Sequence, residues 1–234
     1  MFKLLGEYKK FREYKKYREN ERYCYCAASY SKTLDFVDFF LSDLNKEDSQ
    51  TFLKYVLEVI GRDLETSVQA MHIYKEETYL TGKPFPVSYY SDIYKSTYLE
   101  DEKNTVSVDL SKNIVIAEPW DLHLRLMPNL NNIKENEFVY NKDNHYSVFY
   151  PYMNICVVWN GHHSISSGKY FKKGVIRAAV YDSKTAFKKI DTDGKKWFDI
   201  GGFKPPEYSE EKVKDFRYAL LFKIAKLLFE SENE

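Results

Sequence analysis

Asn154-Ile-Cys-Val-Val-Trp-Asn-Gly161-His162-His163-Ser164-Ile-Ser166-Ser167-Gly-Lys-Tyr-Phe-Lys-Lys-Gly-Val175-Ile-Arg-Ala-Ala-Val-Tyr-Asp182 is the stretch whose reading decides the fold. Ile155, Val157 and Val158 form a β-branched strand. Asn160-Gly161 is a turn signal, because glycine accepts positive φ. Residues 164–170 are helical but too short and too rich in Ser and Gly for a packing helix. Residues 175–180 form a second strand. The order is therefore strand, turn, short helix, strand. The turn carries His162, His163 and Ser164, with Ser166 and Ser167 behind them. Backbone N–H groups at a helix start, with polar side chains around them, suit an anion.

Outside this stretch, composition narrows the field. The chain has 234 residues, 44% of them apolar and 17% aromatic, enough for a sizeable core. Lys+Arg and Asp+Glu balance at 35 each, which argues against a general nucleic-acid binder, since that role leaves a basic excess. Cys24, Cys26 and Cys156 make no disulfide framework and no zinc knuckle. No apolar run reaches the roughly 20 residues that span a bilayer, and the first residues lack a signal-peptide core. A cytoplasmic protein with reduced thiols and no membrane partner is expected.

The first third reads as helical. Tyr8, Phe11, Tyr14 and Tyr17 recur at spacing three among eight Lys/Arg and four Glu in residues 1–22. This is either an amphipathic helix packed on its own domain or a basic aromatic arm for a DNA or protein partner. Helices are expected over 33–44 and 49–79, the second capped by Asp48 or Ser49 and bent at Gly61. His72 reads as an ordinary helix histidine. A breaker at 81–86 divides a helical region, 1–82, from an α+β domain, 83–234. In that domain Ile114 to Ala117 is a buried strand, and Tyr146, Val148 and Tyr150 mark an edge strand. Pro128 interrupts helical character over 122–133. Asp193-Gly194 is a hairpin turn. Ser209 caps a last helix with Glu210 and Glu211 in its first turn, followed by a frayed acidic tail from Glu230.

The motifs of residues 112–182, taken in order, resemble the ParB/sulfiredoxin-like fold. The first box is Ile114-Val-Ile-Ala-Glu118-Pro-Trp120-Asp-Leu-His-Leu-Arg125. The second is Asn160-Gly161-His162-His163-Ser164, completed by Lys173-Gly174 and the strand after it. The Gly-x-His-Ser turn is similar to that of an uncharacterised bacterial ParB-like branch with a helical N-terminal part, for which a bacterial or phage defence role is an association. The resemblance implies a mixed-sheet core with a helical N-terminal part and a C-terminal helix. It also implies a nucleotide site for ATP, ADP or CTP with Mg²⁺. Carried onto this chain, it makes Arg125, Gly161, Ser164, Ser166 and Ser167 phosphate-binding. It makes Glu118, His162 and His163 the catalytic candidates of an NTP hydrolase or phosphotransferase. Two departures matter. Ser164 stands where the family's second box ends in Arg, so the bidentate guanidinium is missing. His162 stands at the sulfiredoxin nucleophile position, and Cys156 lies inside a strand, which argues against thiol chemistry.

Other constellations carry alternatives. Asp143, His145 and His163 would make a metal-dependent nuclease centre, though no ligand spacing supports a metal site. His123 and His145 are the further candidates that the fold could bring near the boxes. Asp191-Thr192-Asp193 is a magnesium-like D-x-D or simply the hairpin turn. Trp120 and Trp159 stack a base or fill the core. A nucleotide-sensing or DNA-associated module without turnover is the remaining functional class, and a turn without a ligand is the plain structural one.

Overall fold

The computed structural model describes residues 29–75, 84–85, 104–200 and 210–233, with only the backbone of 71, 72, 74, 75, 210 and 211. The expectations for residues 1–22, Cys24, Cys26, the His72 side chain, most of the 81–86 breaker and Ser209 lie outside these residues. Helix α1 (29–41) leads into α2 (Lys46–Lys75). The cap of α2 is Asn45, earlier than expected: its Oδ1 accepts the Asp48 N–H at 3.0 Å, satisfying a first-turn donor. The helix continues through Gly61. This glycine lets the helix approach the sheet, since a Cβ there would stand 2.8 Å from Ile114 Cδ1.

Five strands form a mixed sheet: β1 (Thr105–Asp109), β2 (Ile114–Ile116), β3 (Tyr146–Tyr150), β4 (Ile155–Asn160) and β5 (Val175–Val180), in the order β1-β5-β3-β4-β2. The β2–β4 and β3–β5 pairs are parallel, the others antiparallel. The expected edge strand, β3, is central. Val148 pairs with Val157 on one side and Ala179 on the other, and Val148 and Tyr150 are fully buried. The edges are β1 and β2, and at β2 the outward Val115 N–H is taken by Glu65 Oε1 at 2.6 Å.

Side chains alternate across each strand, so the sheet has two buried faces. Ile114, Ile116, Ile155 and Val157 join α2 in the larger core; Val115, Cys156 and Val158 join Ile165 in a smaller one. After β5 come helix α5 (Ser183–Lys189; α3 and α4 lie at the candidate site below) and a second sheet of β6 (Ile190–Thr192), β7 (Lys196–Asp199) and β8 (Glu210–Lys212). The Asp193-Gly194 turn is present, with Asp193 Oδ1 accepting the N–H groups of Lys195 and Lys196.

Glu210 and Glu211 lie in β8 rather than in a helix. The last helix, α6 (Phe216–Asn233), starts after Asp215, whose carboxylate accepts the Arg217 N–H at 2.9 Å. It is buried around most of its girth and stays helical to Asn233, so the tail is not frayed there. Gln50 of α2 donates to the Ser231 carbonyl. Phe85 sits among Tyr150, Trp197 and Phe222, with centroids 5.0, 5.4 and 5.9 Å away. No helix among the described residues is long and apolar enough to cross a membrane.

Candidate functional site

Strand β4 ends at Gly161, whose φ of 84° is left-handed. A Cβ there would lie 2.6 Å from His145 Cδ2 and 3.0 Å from the Asn144 carbonyl. Glycine is therefore required by both backbone and space. Helix α4 (His162–Tyr170) follows, with no side-chain bond capping its start. The sequence suggested too weak a helix to pack. Instead, His163, Ile165, Ser166, Ser167 and Gly168 are buried. Small residues are the reason, since they let the backbone sit close to the sheet: a Cβ on Gly168 would meet Leu110 Cδ1 at 2.8 Å.

The first box lies across from this turn. Asp121 opens a wide helical turn, Leu122–Leu126, by accepting the Leu124 N–H at 2.8 Å. Such turns recur at functional sites. Helix α3 (Met127–Glu135) continues from it with Pro128 in its first turn, where a missing N–H costs little. The two boxes enclose a cavity of about 300 Å³, lined by Trp120, Arg125, Gly161, His162, His163 and Ser164 among others. The sequence-expected Arg125 and the Gly161 turn thus share one cavity. The Arg125 guanidinium lies over the Trp120 ring, 4.7 Å from its centroid, and Trp120 meets His163 edge-on at 5.2 Å.

The two adjacent histidines hold the boxes together. His162 Nδ1 accepts the Glu118 N–H, and His163 Nε2 accepts the Asp121 N–H, each at 3.1 Å. An accepting nitrogen carries a lone pair, so in this arrangement the proton of each ring is on its other nitrogen. Glu118 itself is 3% exposed and does not line the cavity. Ser166 and Ser167 are also outside it. Ser167 Oγ donates to the His163 carbonyl at 2.8 Å, and Ser166 Oγ is buried without a partner. Trp159 packs against Tyr146 and the larger core, and His123 is exposed outside the cavity.

Ser164 is bound from behind. His145 Nδ1 accepts the Asn141 N–H at 3.0 Å, so Nε2–H donates to Ser164 Oγ at 2.8 Å, and Ser164 donates onward to the Gly161 carbonyl. This is the reverse of the polarity that activates a serine nucleophile, in which the imidazole accepts the hydroxyl proton. It also occupies both His145 nitrogens, which removes that ring from the Asp143–His145–His163 metal arrangement. Among the described residues no group of three or more His, Cys, Asp or Glu side chains is placed to hold a metal ion. The D-x-D carboxylates are likewise engaged: Asp191 pairs with Lys223 at 2.7 Å, and Asp193 holds its turn. Burial pushes the Cys156 thiol up to about 12, as suits an inert core residue. The sequence named His145 as a candidate near the boxes but not its bond to Ser164, and it missed Asn141, whose only signal was the Asn/Asp-rich turn of residues 141–144.

A family model matches residues 7–234, that of the family of unknown function DUF6710. The chain belongs to that family. Its match takes in the helical start as well as the sheet and the cavity. Neither a curated protein nor a solved structure matches the chain.

Proposed function

We propose that this DUF6710 chain binds a nucleotide, on a ParB/sulfiredoxin-like arrangement, with the phosphates at the Gly161–Ser164 turn. The observation that carries the reading is the shared cavity: Arg125 stands opposite a helix start that no side chain caps. The positive end of α4 and its backbone N–H groups favour phosphate oxygens, and Arg125 adds charge and a donor fork. Trp120, 39% exposed, offers a ring for the base. Mg²⁺ would arrive with the nucleotide, as the counter-ion of its phosphates.

Binding without turnover is the reading the geometry favours, because Glu118 lies outside the cavity. Hydrolysis or phosphoryl transfer is the second reading, favoured by His162. It lines the cavity with its ring oriented by a backbone N–H, as a positioned acid–base imidazole needs.

The test is a thermal-shift panel of ATP, ADP, CTP and GTP, with and without Mg²⁺, on wild type and Arg125→Ala. A nucleotide at 100 times its Kd adds roughly 2.7 kcal/mol of stability, and Arg125→Ala is expected to weaken that nucleotide about tenfold or more. A flat panel, or a shift indifferent to Arg125→Ala, would sink the proposal. Release of phosphate from the bound nucleotide separates the second reading from the first. Ser164→Arg is a poor probe, because Ser164 already ties His145 to the turn.

A further inference from the structure

The larger cavity lies at the other end of the strands. In β4 the Gly161 turn follows Asn160, whereas this cavity is built around Pro151 to Asn154, before Ile155, and around Val180 to Lys184, where β5 ends. Helices α2 and α6 close its sides. Its volume is about 940 Å³, within the range of sites that enclose a small organic molecule.

We propose that it binds a small amphipathic molecule with an apolar, ring-sized body and an anionic head such as a carboxylate. The body is matched by Leu57, Tyr152, Val180 and Leu228, one or more from each element around the cavity. The head is matched by two adjacent residues. Ser183 lines the cavity at 2% exposure, and its Oγ is buried with no hydrogen-bond partner. A buried hydroxyl without a partner is an exception in native proteins, and this one belongs to a residue of the cavity wall. Lys184 lies beside it on the exposed rim.

The charges of the lining point the same way. Two of its carboxylates are paired with cations, Glu58 with Arg62 at 2.9 Å and Glu232 with Lys54 at 3.6 Å, and the third, Asp182, accepts the N–H and hydroxyl of Thr185. Lys184 has no carboxylate partner among the described residues. Lys184 thus stands next to an unsatisfied donor, and an anionic oxygen satisfies both.

The probe is 8-anilinonaphthalene-1-sulfonate, an aromatic body with an anionic head, titrated by fluorescence into the full chain and competed with decanoate. One saturable site is expected. Val180→Trp fills the apolar end and Lys184→Glu reverses the rim charge; each should weaken the probe at least tenfold. Arg125→Ala, at the other cavity, should leave it unchanged. Ser183→Ala gives a signature that a merely structural serine would not. It removes an unsatisfied hydroxyl, so the melting temperature without probe holds or rises, while probe affinity falls several-fold. Absence of saturable binding would overturn the proposal, as would binding indifferent to both Val180→Trp and Lys184→Glu. Because Lys184 is exposed, its variant folds and keeps the test decisive even if Val180→Trp does not. Loss of affinity in Val180→Trp alone would overturn the anionic head.

Discussion

At the residue scale, His145 is the side chain whose actual bonding matters most and was announced by no motif. It is 4% exposed, stacked on Phe138 at 5.1 Å, and bonded through both nitrogens. Burial holds its imidazole below the ordinary value of 6.5. The sign follows from linkage: the unfolded chain takes up the proton first, so the neutral ring's contribution is complete above about pH 6.5. It declines as pH falls through that value toward the lower folded one, by at most about 1.4 kcal/mol per pH unit. Urea unfolding between pH 7.5 and 5.5 should show wild type losing stability relative to His145→Gln over this window. Parallel curves would remove His145 as the titrating group. Gly161 and His145 are coupled, because the space a Gly161 Cβ would need is the space the ring fills.

At the scale of elements, α4 is held at both ends. Its start is fixed by His162 and His163 on the first-box loop. Its end is fixed by Lys169, whose Nζ pairs with Glu65 Oε1 at 2.7 Å and donates to the Asn113 carbonyl. Glu65 also accepts the Val115 N–H of the edge strand, and Arg62 reaches it at 3.3 Å. One carboxylate therefore joins α2, β2 and α4, with side-chain exposures of 15% for Lys169 and 10% for Glu65. Removing it leaves a buried N–H without its acceptor and the Lys169 ammonium without its counter-charge, a loss on the order of 3 kcal/mol. Glu65→Ala should cost about that much in denaturant unfolding. Glu65→Gln, which keeps an acceptor for Val115, should cost roughly half. Equal losses would show that the strand-edge bond contributes nothing.

At the scale of the whole molecule, α2 and the sheet share one core. Leu53, Leu57, Leu64 and Val68 of α2 pack in the cluster that holds Ile114, Ile155 and Phe222. The boundary expected at 82/83 falls outside the described residues, yet the helix before it buries its face against elements after it. Four such side chains, at roughly 2 kcal/mol each, equal the stability of a typical domain. A fragment beginning at residue 84 should therefore lack a cooperative thermal transition, whereas the full chain unfolds in one. A cooperative fragment would mean that the sheet and α6 form a complete core without α2.

The sequence by itself determined the elements with strong local signals. β-branched runs specified β2, β4 and β5; Asn160-Gly161 and Asp193-Gly194 placed the turns at 161 and 194; helical spacing specified α2. The resemblance to the ParB/sulfiredoxin-like fold paired Arg125 with the Gly161 turn, and the two line one cavity. What the sequence could not carry were the features set by neighbours distant in the chain. The central place of β3 depends on β5, more than 20 residues further on. The burial of α4 depends on a backbone approach that Ser166, Ser167 and Gly168 permit but do not announce. The strand at Glu210–Lys212 exists because β7 offers it a ladder. The same holds for function: His145 became part of the site, and Glu118, Ser166 and Ser167 fell outside the cavity. Which polar groups face a cavity is decided by packing across the sheet, not by their spacing along it.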